Sequence, residues 1–145
     1  MKVLLQRVKW AKVEVDGEEI SSIGPGLLVF LGVAEGDGPD ECEQLAAKVG
    51  RLRIFEDSKG KMNRSLEDVG GEALVVSQFT LAADTSRGNR PGFSSAAQPG
   101  EAEKLYDLFV KTLSKSGVTV KTGQFGADMV VTLANDGPVT FILEK

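Results

Sequence analysis

Ser77-Gln78-Phe79-Thr80-Leu81 gathers two hydroxyls, a primary amide and an aromatic ring into one short segment. It follows Ala73-Leu74-Val75-Val76, an apolar run that reads as a buried strand. Its polar groups therefore stand where a strand gives way to a loop. A second segment, Asn135-Asp136-Gly137-Pro138-Val139-Thr140, sets a Gly-Pro dipeptide between two strand-like runs. Such a turn can offer backbone carbonyls, and a cis peptide bond, to a ligand. Both segments suit recognition by shape and hydrogen bonding, without a strong acid or base.

Composition removes most competing chemistries. The 145 residues include no histidine, so a Ser-His-Asp triad, a histidine base and a HExxH zinc site are impossible. One cysteine, Cys42, excludes a disulfide framework or a multi-cysteine metal site within one chain. It falls on the apolar stripe of a predicted helix, where cysteine is a packing residue. Few cysteines, no signal-peptide pattern and no apolar stretch of bilayer length give the expectation of a soluble, cytoplasmic protein. The length suits one domain, residues 1–145, with a real core. A net charge of -4 argues against loose coating of nucleic acid but allows a local basic patch.

The elements that must position these segments are legible in outline. Val3, Leu5 and Arg7 alternate with Leu4, Gln6 and Val8, and Val13-Glu14-Val15 continues the strand rhythm. Asp16-Gly17 predicts a hairpin. Leu27-Leu28-Val29-Phe30-Leu31-Gly32-Val33 reads as a central strand covered on both faces. A helix is expected to start at 36–40, with Cys42, Leu45, Ala46, Val49 and Leu52 on one stripe. Arg53-Ile54-Phe55 reads as a short strand, 56–71 as a long surface loop, 73–80 as a strand and 82–100 as a second long loop. Loops of that length in a compact domain are often functional. A second helix is expected at 101–116, with Gly117 as its cap, then strands at 118–121, 129–133 and 139–143. The sum is a single α/β domain: a mixed, mostly antiparallel sheet with two helices packed on one face.

The order and spacing of many segments resemble the D-aminoacyl-tRNA deacylase family over almost the whole chain. The shared landmarks run from Gln6-Arg7-Val8 and Ile23-Gly24-Pro25-Gly26-Leu27-Leu28 through Leu52-Arg53-Ile54-Phe55, Gly60-Lys61-Met62-Asn63 and Val69-Gly70-Gly71-Glu72. They continue with Ser77-Gln78-Phe79-Thr80-Leu81, Arg90-Pro91, Thr122-Gly123-Gln124-Phe125-Gly126-Ala127-Asp128-Met129 and the Gly137-Pro138 segment. The resemblance implies a metal-free, cofactor-free enzyme acting as a barrel-like homodimer on the 3′ end of aminoacyl-tRNA. It implies cleavage of the ester of a D-amino acid or mischarged glycine, and rejection of L-aminoacyl esters. It also implies that Gly137-Pro138 is cis and reaches into the partner subunit's site, oriented by Arg7. Many relatives carry serine where this chain has Gly92, which bears on the rigidity of the 85–93 loop.

An aminoacyl ester is already activated, so its hydrolysis needs a positioned water and a stabilised oxyanion more than a strong base. Ser77, Gln78 and Thr80 can supply hydrogen bonds, and backbone N–H groups around Phe79 and Thr80 can face the oxyanion. Thr80 or Ser77 as nucleophile is one route, although nothing near them in sequence would take the proton. The resemblance favours another, in which the ribose 2′-hydroxyl of the terminal adenosine orients or activates the water. A backbone wall at Gly137-Pro138 beside the substrate Cα admits hydrogen and collides with a side chain, so Pro138→Ala is expected to weaken rejection of L-substrates or damage the dimer. Phe125, with Gly126, Ala127 and Met129, is the expected adenosine platform. Lys59, Lys61, Arg64, Arg87 and Arg90 are either phosphate contacts or solvated loop charges. A non-catalytic module for the aminoacylated 3′ end, or a structural dimer, would share most of these features.

Overall fold

The computed structural model describes residues 1–145. In chain order the strands are β1 (Lys2–Val15), β2 (Glu18–Ile23), β3 (Gly26–Gly32), β4 (Phe55–Glu56), β5 (Met62–Arg64), β6 (Glu72–Ser77), β7 (Thr119–Thr122) and β8 (Val130–Glu144). The helices are α1 (Pro39–Arg51), α2 (Leu66–Val69) and α3 (Pro99–Lys115), with a 3-10 turn at Phe79–Ala82.

Long, alternating β1 organises the sheet. One edge pairs antiparallel with β3 and then β2, and the other with β8 along its whole length. Asp16 and Gly17, both at positive φ (51° and 80°), make the expected tight turn into β2. Parallel pairing then carries the sheet from β3 to β6 and β7. The Ser21 hydroxyl donates to the Thr122 carbonyl at 2.6 Å, and Lys121 Nζ donates to the Ser22 carbonyl at 2.7 Å. The sheet thus curls until β2 and β7 nearly meet.

Curling creates two apolar layers. The larger gathers Val3, Leu5, Leu27, Val29 and Leu31 from the sheet with Cys42, Leu45, Val49, Phe109 and Leu113 from α1 and α3. The smaller lies on the other face, from Val8, Ala11, Val13, Ile23, Leu28, Leu74 and Val76. β3 is therefore covered on both sides, as its unbroken apolar run predicts. β1 serves both layers because irregular pairing around Val8 and Trp10 shifts its alternation, so Val3 and Leu5 face one core while Ala11 and Val13 face the other.

Three expectations are corrected. Residues 56–71 hold secondary structure rather than one long loop: β4 and β5 form a hairpin, and a reciprocal Ser65–Asp68 capping box starts the extra helix α2. Asp57 organises that hairpin by accepting from the Lys59 and Lys61 N–H groups at 2.8 and 3.0 Å. The expected strand 73–80 ends at Ser77 and turns into the 3-10 segment, closed by the Leu81 N–H on the Gln78 carbonyl at 3.2 Å. The two expected C-terminal strands are one, β8. Gln6 pairs with Thr140 and Val8 with Asn135, so the residues between Asn135 and Thr140 loop outward from a strand that keeps its direction. Gly137-Pro138 is thus no hairpin turn, because both flanks run along the same neighbour.

Candidate functional site

Strands β3 and β6 end side by side, and the chain leaves each toward one cavity of about 630 Å³. Leu31, Val33, Val76, Ser77, Gln78 and Phe79 form one wall, and Phe125 to Met129 form another. In open α/β sheets the carboxyl ends of parallel strands are where ligands bind. The size falls within the usual range for small-molecule sites, roughly 300–1,000 Å³.

Glycine at position 32 seats the 3-10 turn. A Cβ there would lie 2.7 Å from the Leu81 Cβ and 3.0 Å from the Gln78 carbonyl oxygen, so only glycine lets the turn rest on β3. The Gln78 N–H donates to the Leu31 carbonyl at 2.8 Å, which fixes the exit from β6. The first N–H groups of such a turn, those of Phe79 and Thr80, have no acceptor within it, and of these two residues Phe79 lines the cavity. Thr80 itself is exposed and lies outside the lining; its hydroxyl accepts from the Gln78 side-chain amide.

Tyr106 pins the floor. Its hydroxyl donates to the Val75 carbonyl at 2.8 Å, and the same carbonyl accepts the Gly123 N–H at 3.0 Å. One buried oxygen therefore ties α3 and the start of the 123–129 loop to β6. Burial, with Asp107 adding to it, pushes the tyrosine pKa up to about 12. The Tyr106 ring also lies 5.8 Å from that of Phe125, centroid to centroid. Met129 closes over Gly123, its sulfur taking the Gln124 N–H at 3.4 Å. At the mouth, Phe79 and Phe93 meet edge to face at 5.2 Å and an interplanar angle of 65°.

The lining holds no lysine, arginine or cysteine, and its one carboxylate is Asp128. Such walls offer hydrogen bonds and flat apolar surface rather than a nucleophile paired with a base. Tyr106, Phe93, Gln98 and Asp128 join the site without having been singled out from the sequence. Tyr106 left a trace there: a lone tyrosine among the apolar residues of a helix needs a partner for its hydroxyl.

Gly137, Pro138 and Arg7 are not part of this chain's own cavity. They form a separate platform in which the Gly137–Pro138 peptide bond is cis. Asn135 closes the loop at its base, its side-chain N–H groups donating to the Arg7 and Val139 carbonyls at 2.9 and 3.1 Å. Arg7 is buried. It donates to the Asp136 carbonyl (3.1 Å) and the Ile54 carbonyl (2.7 Å), and pairs with the Asp136 carboxylate at 3.2 Å. Gly137 and Pro138 above this anchor are exposed.

The basic loop residues divide. Arg64 is tied to the Asp68 carbonyl at 2.8 Å. Lys59, Lys61, Arg87 and Arg90 are exposed and form no ion pair. Arg90 lies outside the cavity lining, in the loop that leads to Phe93. No helix is long and apolar enough to cross a membrane.

Fold and cavity together define a small α/β protein with a cavity at the ends of parallel strands and no histidine to work with. The chain belongs to the D-Tyr-tRNA(Tyr) deacylase family, whose model matches residues 4–144. That membership makes it a hydrolase of the aminoacyl-tRNA ester. It is similar to the D-aminoacyl-tRNA deacylase of Ruegeria pomeroyi, with 60% identity over 99% of both chains. The D-aminoacyl-tRNA deacylase of a Cereibacter sphaeroides strain is 58% identical over 100% of both. Among solved structures, "c-Myc DNA Unwinding Element Binding Protein" superposes with a TM-score of 0.94 and 44% identity, covering 100% of this chain and 99% of that one. A second structure, of "a probable eukaryotic D-amino acid tRNA deacylase", has a TM-score of 0.84 at 17% identity, with 98% and 97% covered, and speaks to the fold alone.

Proposed function

We propose that the chain hydrolyses the ester between a D-amino acid, or a mischarged glycine, and the 3′-terminal adenosine of tRNA, and spares L-aminoacyl-tRNA. The observation that carries this reading is the cavity itself, in which the Ser77-Gln78-Phe79 wall and the Phe125–Met129 wall face one space without a strong base. Phe125 is the stacking surface for adenine, where stacking contributes about 1–3 kcal/mol per base. Gly126, Ala127 and Met129 shape its rim.

The ester carbonyl lies toward the N-terminal end of the 3-10 turn, where the Phe79 and Thr80 N–H groups receive the developing oxyanion. One such donor is typically worth a factor of roughly 10²–10³ in rate. Ser77 and Gln78 orient the attacking water by hydrogen bonding. The adjacent ribose 2′-hydroxyl of the substrate does the remaining activation, which suits a lining without lysine, cysteine or histidine.

The second half of the site is a second copy of the chain. Gly137-Pro138 is held rigidly by Arg7 and Asn135, stands exposed, and meets nothing in its own cavity. In a homodimer it enters the partner's cavity and sets a backbone wall beside the substrate Cα, which excludes an L side chain by collision. Arg90 and its neighbours take phosphates of the acceptor end.

Purified protein incubated with matched D- and L-aminoacyl-tRNA, with and without chelator, tests the reading. Release of the D-residue alone, unaffected by chelator, is the expected result. Equal release of both enantiomers overturns the chiral wall. Binding without release leaves a non-catalytic module for the aminoacylated 3′ end as the function.

A further inference from the structure

The loop between Asp84 and Gly92 is closed on itself. The Asp84 N–H donates to the Gly92 carbonyl at 2.8 Å, and the Gly92 N–H returns to the Asp84 carbonyl at 2.9 Å. The Asp84 carboxylate also accepts the Ser86 N–H at 2.9 Å. Beyond this neck every residue from 85 to 91 is exposed, and Arg87 and Arg90 there are without ion-pair partners. The next residue after the neck is Phe93, whose ring meets Phe79 at the cavity mouth. Both rings keep much of their surface open, 56% for Phe79 and 42% for Phe93. On its far side the segment is tied down again, by the Ser95 hydroxyl on the Ala82 carbonyl (2.5 Å) and the Ala97 N–H on the Val33 carbonyl (3.0 Å).

A cationic loop thus ends one peptide bond from an aromatic wall that touches the substrate-facing motif. We infer that Phe93 is a positioning residue that couples the two. Phosphates of the acceptor end, bound at Arg87 and Arg90, hold the neck, and the neck holds the Phe93 ring against Phe79 so that the mouth closes on the terminal nucleoside. RNA bound far from the ester then improves the alignment of the ester itself. The inference rests on the deacylase reading above.

The test is a double-mutant cycle read with two substrates, D-aminoacyl-tRNA and the stem-less 3′-O-D-aminoacyl-adenosine. Phe93→Ala is expected to lower kcat on both by about tenfold, near the upper end of what an aromatic pair is worth, with Phe93→Tyr restoring most of it. Arg87→Ala/Arg90→Ala is expected to act on the tRNA substrate only, lowering kcat as well as raising KM. In the Phe93→Ala background the arginine substitutions are expected to keep their KM effect and lose their kcat effect. Additive kcat effects, an arginine effect confined to KM, or a Phe93→Ala variant within twofold of wild type would each overturn the coupling. A circular dichroism melt of each variant separates misfolding from these outcomes, and a variant that melts early is replaced by Phe93→Leu in the same cycle. If wild type hydrolyses neither substrate, the deacylase reading fails first and takes the coupling with it.

Discussion

Arg7 meets two carbonyls and a carboxylate from a position that water barely reaches. Arg7→Ala leaves the Ile54 carbonyl without a partner, a cost of about 1–3 kcal/mol, and frees the loop that presents Gly137-Pro138. The expected outcome is a lower denaturation midpoint together with a smaller D-over-L rate ratio; unchanged selectivity would separate Arg7 from chirality. Gly92 is the opposite case. Its φ lies outside the left-handed region, and a Cβ would find only the Asp84 carbonyl oxygen at 3.8 Å. Gly92→Ser is therefore expected to leave turnover unchanged and to stabilise by up to about 1 kcal/mol through the unfolded chain, measurable by chemical denaturation. The rigidity in question at Gly92 comes from its paired backbone, which the side chain does not alter.

At the scale of elements, the seat of the 3-10 turn on β3 is the most sensitive joint in the site. Gly32→Ala forces a methyl into the Leu81 Cβ and the Gln78 carbonyl, and overpacking of this kind costs about 1–3 kcal/mol. The turn moves more readily than β3, which is covered on both faces. Turnover is expected to fall at least tenfold while the far-ultraviolet circular dichroism spectrum stays that of wild type. A variant with normal kcat would show that the turn does not place the reacting groups. The start of α1, the stripe of α3 and the β1–β2 hairpin follow from local chemistry and were legible in the sequence. The end of β6 was not, because Phe79 and Leu81 continue its apolar pattern and only the contact with Gly32 redirects the chain.

For the whole molecule, two groups make the core sensitive to alkali. Burial, helped by Glu43 and Asp37, raises Cys42 from 9.0 to about 12, and burial with Asp107 raises Tyr106 from 10.0 to about 12. Raised folded pKa values favour the native state while both groups stay protonated, and that advantage disappears as pH climbs toward 12. The denaturation midpoint is expected to hold up to about pH 9 and fall above it, with Tyr106→Phe removing part of the slope. Assembly gives a second prediction. Light scattering is expected to show twice the chain mass of 15.4 kDa, and an active monomer would rule out a site completed by a partner.

The sequence by itself determined the alphabet of the chemistry: no histidine, a hydroxyl-rich strand end, an aromatic flanked by glycines and a rigid Gly-Pro pair. It also determined the elements whose signals are local, since caps, turns and periodicity act over a few residues. Tertiary structure decided which groups share a space. Ser77 and Phe125 line one cavity because β6 and β7 are parallel neighbours, and Tyr106 joins them because α3 crosses beneath. Arg7 and Gly137-Pro138 were placed elsewhere by the pairing of β1 with β8, a contact between residues more than a hundred positions apart. No local pattern encodes such distances, because they are set by packing of the whole sheet.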